Sequence, residues 1–283
     1  MEQVAFIVWR ESVEALLLVG ILYAWLRQSP EGRRGLPWLW TGVAGGLLLA
    51  GLLALLLLGL SQWLSSEGQE LFQAAMAFVA SALVVQMVYW MRRHGRTLKK
   101  ELEEGAGRET GKSHWWGLLL LVAIAVAREG SETVVFLYGM ISAGVSSGSA
   151  WKLGVAGLAG FIAALGTFWI LQLGGKVLTW RRFFRLTETL LLLLASSLLV
   201  TGTDRLISLG ILPAWIDPVW DSSAWLGTEG GLGKVLADFA GYRAYPALSQ
   251  LLIWTLYWVV VWALLRRTGR RVAARANPSS VSA

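Results

Sequence analysis

Seven apolar runs, each about 20 residues long, constrain what this chain can fold into. A run of that length crosses the hydrocarbon core of a bilayer as a single α-helix. The runs lie near 4–26, 36–60, 71–92, 115–142, 150–173, 187–209 and 248–265. Only 15% of the 283 residues are charged, whereas soluble chains average about 25%. We therefore predict an all-α, polytopic membrane protein with seven transmembrane helices.

The predicted helices form two halves and a final helix. Helices one to three and four to six would be an inverted 3+3 repeat, with the C-terminal helix added. The boundaries, placed where apolar composition changes to polar, are 1–92 for the first repeat, 93–114 for a cytoplasmic loop, 115–209 for the second repeat, 210–247 for an external loop, 248–267 for the seventh helix and 268–283 for a cytoplasmic tail. Within the external loop, residues 232–242 are expected to form a short surface helix.

Basic residues predict the orientation of the chain in the membrane. Nineteen of the 25 Lys and Arg residues fall in the segments 27–35, 92–114 and 174–186 and from Arg266 to the C-terminus. The segments predicted on the opposite side hold only four, Lys152, Arg205, Lys234 and Arg243. Because the basic side of a membrane protein faces the cytoplasm, the N-terminus should be outside and the C-terminus cytoplasmic. The net charge of +7 therefore reflects topology rather than a nucleic-acid partner.

Two charged motifs interrupt the apolar runs. The first is Arg10-Glu11-Ser12-Val13-Glu14, and the second is Arg128-Glu129-Gly130-Ser131-Glu132. A charge at the bilayer centre costs about 2.5–3.5 kcal/mol, so six would cost on the order of 15–20 kcal/mol if uncompensated. The motif side chains must therefore face one another, water or a bound cation.

Helical spacing brings the charges of each motif together. The two acids of a copy are three residues apart and share a face, and each Arg can pair with the Glu four residues later. The first and fourth helices start on opposite sides of the membrane, so the two copies would run antiparallel and meet near the midplane. Four carboxylates and two guanidinium groups would then form a site of hard oxygen ligands, suited to a hard metal ion. The chain has no Cys, and His94 and His114 flank a polar loop, so softer ligands are not available at that depth.

Other features of the runs predict packing. Gly42 and Gly46 form one pair of small residues at four-residue spacing, and Ala156 and Gly160 form another. Such pairs allow close approach of helix backbones in lipid, and we interpret them as packing within the chain. Glu188 is interpreted as a solvated residue at a helix end. Gln86 is expected to make a helix–helix hydrogen bond.

The duplicated Arg-Glu-x-x-Glu motif, in the first and fourth of seven predicted spans, resembles the iron permease family of fungal high-affinity and bacterial iron-uptake systems. The resemblance covers most of the chain. It extends to Gly241-Tyr242-Arg243-Ala244-Tyr245-Pro246, which is similar to a stretch in the bacterial members. The family's glycine after the first Glu of the motif is Ser12 in the first copy and Gly130 in the second. Both residues are small, so we expect the same function.

The resemblance implies import of iron across the bacterial inner (cytoplasmic) membrane. Ferric iron would be delivered by a separate ferroxidase or periplasmic iron-delivery protein, because nothing in this chain supplies ferroxidase chemistry. Iron would be the transported substrate, with no permanently bound cofactor. The residues expected to act are the ligands Glu11, Glu14, Glu129 and Glu132 and the supporting Arg10 and Arg128, which would keep the carboxylates ionised.

Three other classes of protein stay open. A proton-coupled carrier, or a carrier of another divalent metal such as manganese or lead, could use the carboxylates as a relay. A structural or receptor protein could use the Arg–Glu pairs only to link helices, but this would leave Glu11 and Glu129 as costly buried charges without partners. An intramembrane enzyme is disfavoured, because the chain has no HExxH motif, no Cys and no His at membrane depth.

Overall fold

The computed structural model describes residues 2–28, 32–94, 115–140, 150–172, 180–228 and 230–276. The regular elements within those ranges are helical, which confirms the all-α part of the prediction. They are α1 (Glu2–Arg27), a 3-10 helix (Gly32–Gly35), α2 (Leu36–Trp63), α3 (Ser66–His94), α4 (Trp116–Met140), α5 (Ala150–Gln172), α6 (Trp180–Ser208), α7 (Gly231–Ala240) and α8 (Leu248–Ala276). Most of the predicted loop at 93–114 and the end of the predicted tail lie outside the described residues.

The helices agree with a multi-pass membrane protein. Five segments within the described ranges are long and apolar enough to cross a bilayer: Gly32–Trp63, Ser66–Arg92, Trp151–Ile170, Arg185–Ser208 and Leu248–Arg266. Helices α1 and α4 are also long, with 26 and 25 residues, but every 18-residue stretch of either helix includes the three charges of its motif. Whether these two also cross, as seven spans require, remains a prediction.

The chain divides into two compact units. The first combines Met1–Met76 with Thr97–Thr187, and contains α1, α2, α4, α5 and the beginnings of α3 and α6. The second combines Ala77–Arg96 with Glu188–Ala283, and contains the remainder of α3 and α6 together with α7 and α8. Both copies of the charged motif belong to the first unit.

Small residues let the helices of the first unit approach closely. The buried face of α2 that packs on α4 includes Gly42, Gly46 and Ala50. The corresponding face of α5, which packs on α1, includes the buried residues Ala156, Gly160 and Ala164. The predicted packing of both small-residue pairs within the chain is therefore confirmed. A larger side chain at these positions would separate the helices that carry the motifs.

One backbone contact occurs twice in the first unit. A Cβ placed on Gly46 would lie 2.8 Å from the carbonyl oxygen of Ala123 and 2.9 Å from the amide nitrogen of Ala127. A Cβ on Gly160 would meet the carbonyl oxygen of Ala5 and lie 3.0 Å from the amide nitrogen of Trp9. The two contacted residues lie at the same distances from the Arg of their motif in both cases. The first is five residues before that Arg, and the second is one residue before it. The two motif helices are therefore held by equivalent contacts.

The two motif helices run antiparallel. Leu22 and Leu26, near the end of α1, share an apolar cluster with Leu118 and Val122, near the start of α4. Further along, the acids of the first motif approach Glu129 of the second. This order of contacts, with late residues of α1 against early residues of α4, agrees with the antiparallel arrangement expected from the sequence.

Hydrogen bonds between helices stabilise the second unit. The Ser81 hydroxyl donates to the carbonyl oxygen of Ala195 at 2.8 Å, and the Tyr257 hydroxyl donates to that of Leu192 at 2.7 Å. Arg92 forms an ion pair with Glu188, whose side chain is only 13% exposed. The interpretation of Glu188 as a solvated end residue was therefore wrong, because α3 brings a basic partner to it.

The segment 210–247, which was predicted to be external, contains the predicted short helix, α7. Gly241 ends this helix in the left-handed region, at φ 73°, where a residue without a Cβ is favoured. Ser197 of α6 donates to the carbonyl oxygen of Ala237 at 3.0 Å and so attaches α7. Before α7, Asp221 accepts hydrogen bonds from the backbone and hydroxyl of Ser223, which lower the pKa of its carboxyl below the ordinary value.

Candidate metal centre

The first motif forms a compact ion-pair cluster on α1. Nη1 of Arg10 donates to Oε1 of Glu11 at 2.7 Å, and Nη2 donates to Oε1 of Glu14. Arg10 and Glu11 are almost fully buried, at 1% and 2% exposure, and Glu14 is 18% exposed. One guanidinium fork therefore orients two carboxylates, a geometry for which Arg is well suited.

The second motif is more open. Nε of Arg128 donates to Oε1 of Glu132 at 2.9 Å, and the two side chains are 41% and 12% exposed. Within the described part of the chain, the Glu129 side chain forms no ion pair. The hydroxyls of Ser131 and Thr133 donate to carbonyl oxygens of α4 itself, at Arg128 and Glu129. The second Arg is thus the more exposed of the two, and its pair with Glu132 resembles the pair of Arg10 with Glu14.

Three carboxylates converge between the two helices. One oxygen each from Glu11, Glu14 and Glu129 lies within 4.8 Å of the other two. Two oxygens on opposite sides of a hard cation, at bond lengths of 2.0–2.6 Å, are about 4–5 Å apart. The spacing is therefore suitable for oxygen ligands around a single ion. Glu132 lies outside this set of three.

Three carboxylate oxygens at the site have no hydrogen-bond partner among the described residues. They are Oε2 of Glu11, Oε2 of Glu129 and Oε2 of Glu132, and all three are buried. Burying a polar atom without a partner costs roughly 1–3 kcal/mol, and more for a charged group. A cation bound among the converging carboxylates would offset this cost for Glu11 and Glu129, which belong to that set.

The sequence predicted part of this geometry. The pairs at four-residue spacing, Arg10 with Glu14 and Arg128 with Glu132, are confirmed. Glu11 was expected to lack a partner if the Arg–Glu pairs only linked helices. That expectation was wrong, because Nη1 of Arg10 donates to Glu11 while Nη2 donates to Glu14. The convergence of three carboxylates agrees with the predicted meeting of the motifs, while a fourfold set including Glu132 is not formed.

Two residues beside the first motif were not identified from the sequence. The indole nitrogen of Trp9 donates to the hydroxyl of Thr167 at 2.9 Å, which links α1 to α5 one residue before Arg10. The available signal was a Trp inside the predicted run 4–26, directly before the charged motif.

A multi-pass helical protein that encloses ionisable side chains within apolar helices has the features of a membrane transport protein for cations. The chain matches the Iron permease FTR1 family over residues 1–268. It therefore belongs to the iron permease family, as the resemblance of its motifs indicated, and that family is one of transporters rather than enzymes.

Known relatives align over nearly the full chain. The ferrous iron permease EfeU of Shigella sonnei (strain Ss046) is 30% identical over 276 residues, which cover 93% of this chain and 95% of the relative. EfeU of Yersinia pestis is 28% identical over 273 residues, covering 95% of each chain. A relative from Escherichia coli (strain K12), 30% identical over 275 residues, is named a putative inactive ferrous iron permease EfeU. No solved structure matches this chain.

Proposed function

We propose that this protein imports iron across the bacterial cytoplasmic membrane through the carboxylate cluster between α1 and α4. The observation that carries the proposal is the approach of Glu11, Glu14 and Glu129 to within 4.8 Å of one another. Family membership and the names of the relatives support iron as the cargo. In this mechanism Glu132 rotates toward the ion and provides a fourth carboxylate. Iron is substrate, and the proposal includes no resident cofactor.

Electrostatics favours a trivalent ion at this site. Four carboxylates and two guanidinium groups have a formal charge of −2, so a highly charged cation is stabilised more than a monovalent one. Carboxylate oxygens are hard ligands and suit Fe³⁺. We therefore assign Fe³⁺ as the bound form, although the relatives are named for ferrous iron. Arg10 and Arg128 keep the carboxylates ionised and hold them in place between transport cycles.

The inverted repeat provides a route for the ion. The equivalent contacts of Gly46 and Gly160 with the two motif helices support a pseudo-symmetric pair of halves. Transporters of this type hold their substrate near the midplane between repeats, and rocking of one repeat against the other alternates access. With seven spans, an external N-terminus and a cytoplasmic C-terminus, iron would enter from the periplasmic side. A ferroxidase or periplasmic delivery protein would present it there.

The central test is iron uptake into vesicles that contain purified protein. Glu14→Gln and Glu129→Gln each remove one ligand charge with little change in shape, and we expect each to reduce uptake more than about tenfold, beyond the loss seen for outer-shell changes. Glu67→Gln, on the exposed start of α3, is the matched control and should transport normally. Uptake at the wild-type rate in both motif variants, with correct insertion, would contradict the site assignment.

The same assay separates the other transport hypotheses. Fe²⁺, Fe³⁺, Mn²⁺ and Pb²⁺ should be compared across a pH series. The proposal is supported if the rate of iron uptake saturates with iron concentration and if unlabelled iron competes with the labelled ion. A rate set by pH with no preference among the metals would instead favour the proton relay. Uptake of Fe²⁺ but not of Fe³⁺ would be consistent with the carboxylate site and would contradict the assignment of Fe³⁺ as the bound form.

A further inference from the structure

A groove in the second compact unit lies outside the carboxylate cluster. It has a volume of about 410 Å³ and is formed by α3, α6 and α8, which is within the range of pockets for a single small ligand. Apolar side chains such as Phe78, Val85, Leu199 and Val260 line it. The hydroxyls of the lining residues Ser81 and Tyr257 donate to helix carbonyls. The walls are therefore suited to hydrocarbon.

One side of the groove carries a row of polar groups on α3. Gln86 and Tyr89 line the groove, and Arg92 follows three residues later on the same helix face. In the part of the chain that the structure describes, the Gln86 side chain forms no hydrogen bond. The predicted helix–helix hydrogen bond is therefore not formed among these residues. An exposed amide inside a membrane span needs a polar partner from the bilayer.

The row ends in positive charge. Arg92 remains 40% exposed although it forms the ion pair with Glu188. It begins the segment 92–114, which contains seven of the 25 Lys and Arg residues. Arg92 lies six residues after Gln86, so the row extends about 9 Å along the helix. The guanidinium of Arg92, the phenol of Tyr89 and the amide of Gln86 therefore lie in that order from the end of the span toward the apolar groove.

We propose that this groove binds an anionic phospholipid from the leaflet on the Arg92 side. Arg92 contacts the phosphate, Tyr89 and Gln86 donate to the ester oxygens, and one acyl chain occupies the apolar part. This is the order in which a phospholipid presents its phosphate, esters and hydrocarbon. Basic pockets between membrane helices select anionic head groups through charge-assisted hydrogen bonds. The groove lining shares no residue with the iron ligands, so the proposal does not depend on iron transport.

Native mass spectrometry of the purified full chain tests the proposal directly. We expect wild-type protein to retain phosphatidylglycerol in preference to phosphatidylcholine at equal concentration. Arg92→Gln should lower the affinity for phosphatidylglycerol roughly fivefold, the effect of one basic residue near an anionic surface. Arg92→Lys should retain most of the preference. Arg266→Gln is the matched control, because its guanidinium stacks on Trp262 and should leave the affinity unchanged.

A second pair of variants tests occupation of the groove. Ala82→Phe places an aromatic ring in the groove and should prevent lipid retention, whereas Val79→Phe, on an exposed part of α3 outside the groove lining, should not. Equal retention of both phospholipids by the wild-type protein would overturn the proposal. So would an effect of Arg266→Gln as large as that of Arg92→Gln, because the selectivity would then arise from general surface charge.

Discussion

Matching residues of the two motifs have different environments. Arg10 is 1% exposed and pairs with both carboxylates of its copy, whereas Arg128 is 41% exposed and pairs with Glu132 across four residues. The second copy therefore contributes Glu129, a carboxylate with no ion pair among the described residues, to the group of three. A site with one preorganised half and one adaptable half can bind an ion strongly enough to select it and still release it.

The glycine of the second motif is required by packing. A Cβ at Gly130 would lie 2.6 Å from the Cβ of Ala50, which is closer than two non-bonded carbon atoms can approach. We predict that Gly130→Ala destabilises the protein by about 1–3 kcal/mol, a usual cost of overpacking. Thermal unfolding of purified protein in detergent measures the loss.

Two variants control the Gly130 experiment. Ala50→Gly removes the opposing methyl group, so the double variant should recover most of the lost stability. Ser12→Ala changes the equivalent position of the first motif, where a side chain is already accommodated, and should have little effect. If Gly130→Ala alone is as stable as the wild type, close contact between α2 and α4 at this position is not the reason for the glycine.

At the scale of helices, four-residue spacing of small residues determines which helices meet. Gly46 and Gly160 bring α2 and α5 against the backbones of the motif helices, so each motif helix is supported by the second helix of the other predicted repeat. In lipid no hydrophobic effect drives helices together, and close van der Waals contact must stabilise the pair. Large residues at these positions should therefore shift the motifs apart.

We predict that Gly46→Leu and Gly160→Leu reduce both the folded yield and iron uptake. Each leucine would collide with backbone atoms, which cannot move aside as a flexible side chain can. Gly51→Leu and Gly157→Leu are matched controls on the same helices, because a Cβ at either glycine has nothing within 4 Å. Size-exclusion chromatography gives the folded yield. Similar losses in all four variants would show that leucine is harmful irrespective of helix contact.

Element type was predictable from sequence, whereas helix partners were not. Apolar length and composition depend on consecutive residues, so each predicted run overlaps one long helix, although α6 begins before its run and α8 ends well after its run. Which small residues form interfaces depends on neighbours far away in sequence. Gly154, Gly157 and Gly166 lie in the same helix as Gly160 and look equivalent in the sequence. A Cβ on any of the three, however, would contact nothing within 4 Å. Only the packed structure distinguishes these glycines from the one at the interface.

At the scale of the whole molecule, the predicted orientation can be tested with cysteine labelling. The natural chain has no Cys, so a single introduced thiol reports one position without background. We predict that Ser223→Cys reacts with a membrane-impermeant maleimide in intact spheroplasts, because the 210–247 segment should be external. Glu103→Cys, in the basic segment 93–114, should react only after the membrane is permeabilised. The reverse pattern would invert the orientation and the proposed direction of transport.

The amino-acid sequence alone determined that the chain is helical and membrane-embedded, and that each motif pairs Arg with Glu four residues later. These properties depend on short-range spacing and on the bilayer, which are both evident from local composition. Tertiary structure alone decided that Arg10 also binds Glu11, that Glu129 rather than Glu132 joins the converging carboxylates, and that α3 carries a polar row into an apolar groove. Arg10 and Glu11 are neighbours in sequence, but their side-chain geometry, like the other two features, depends on which helices pack around them and in what register.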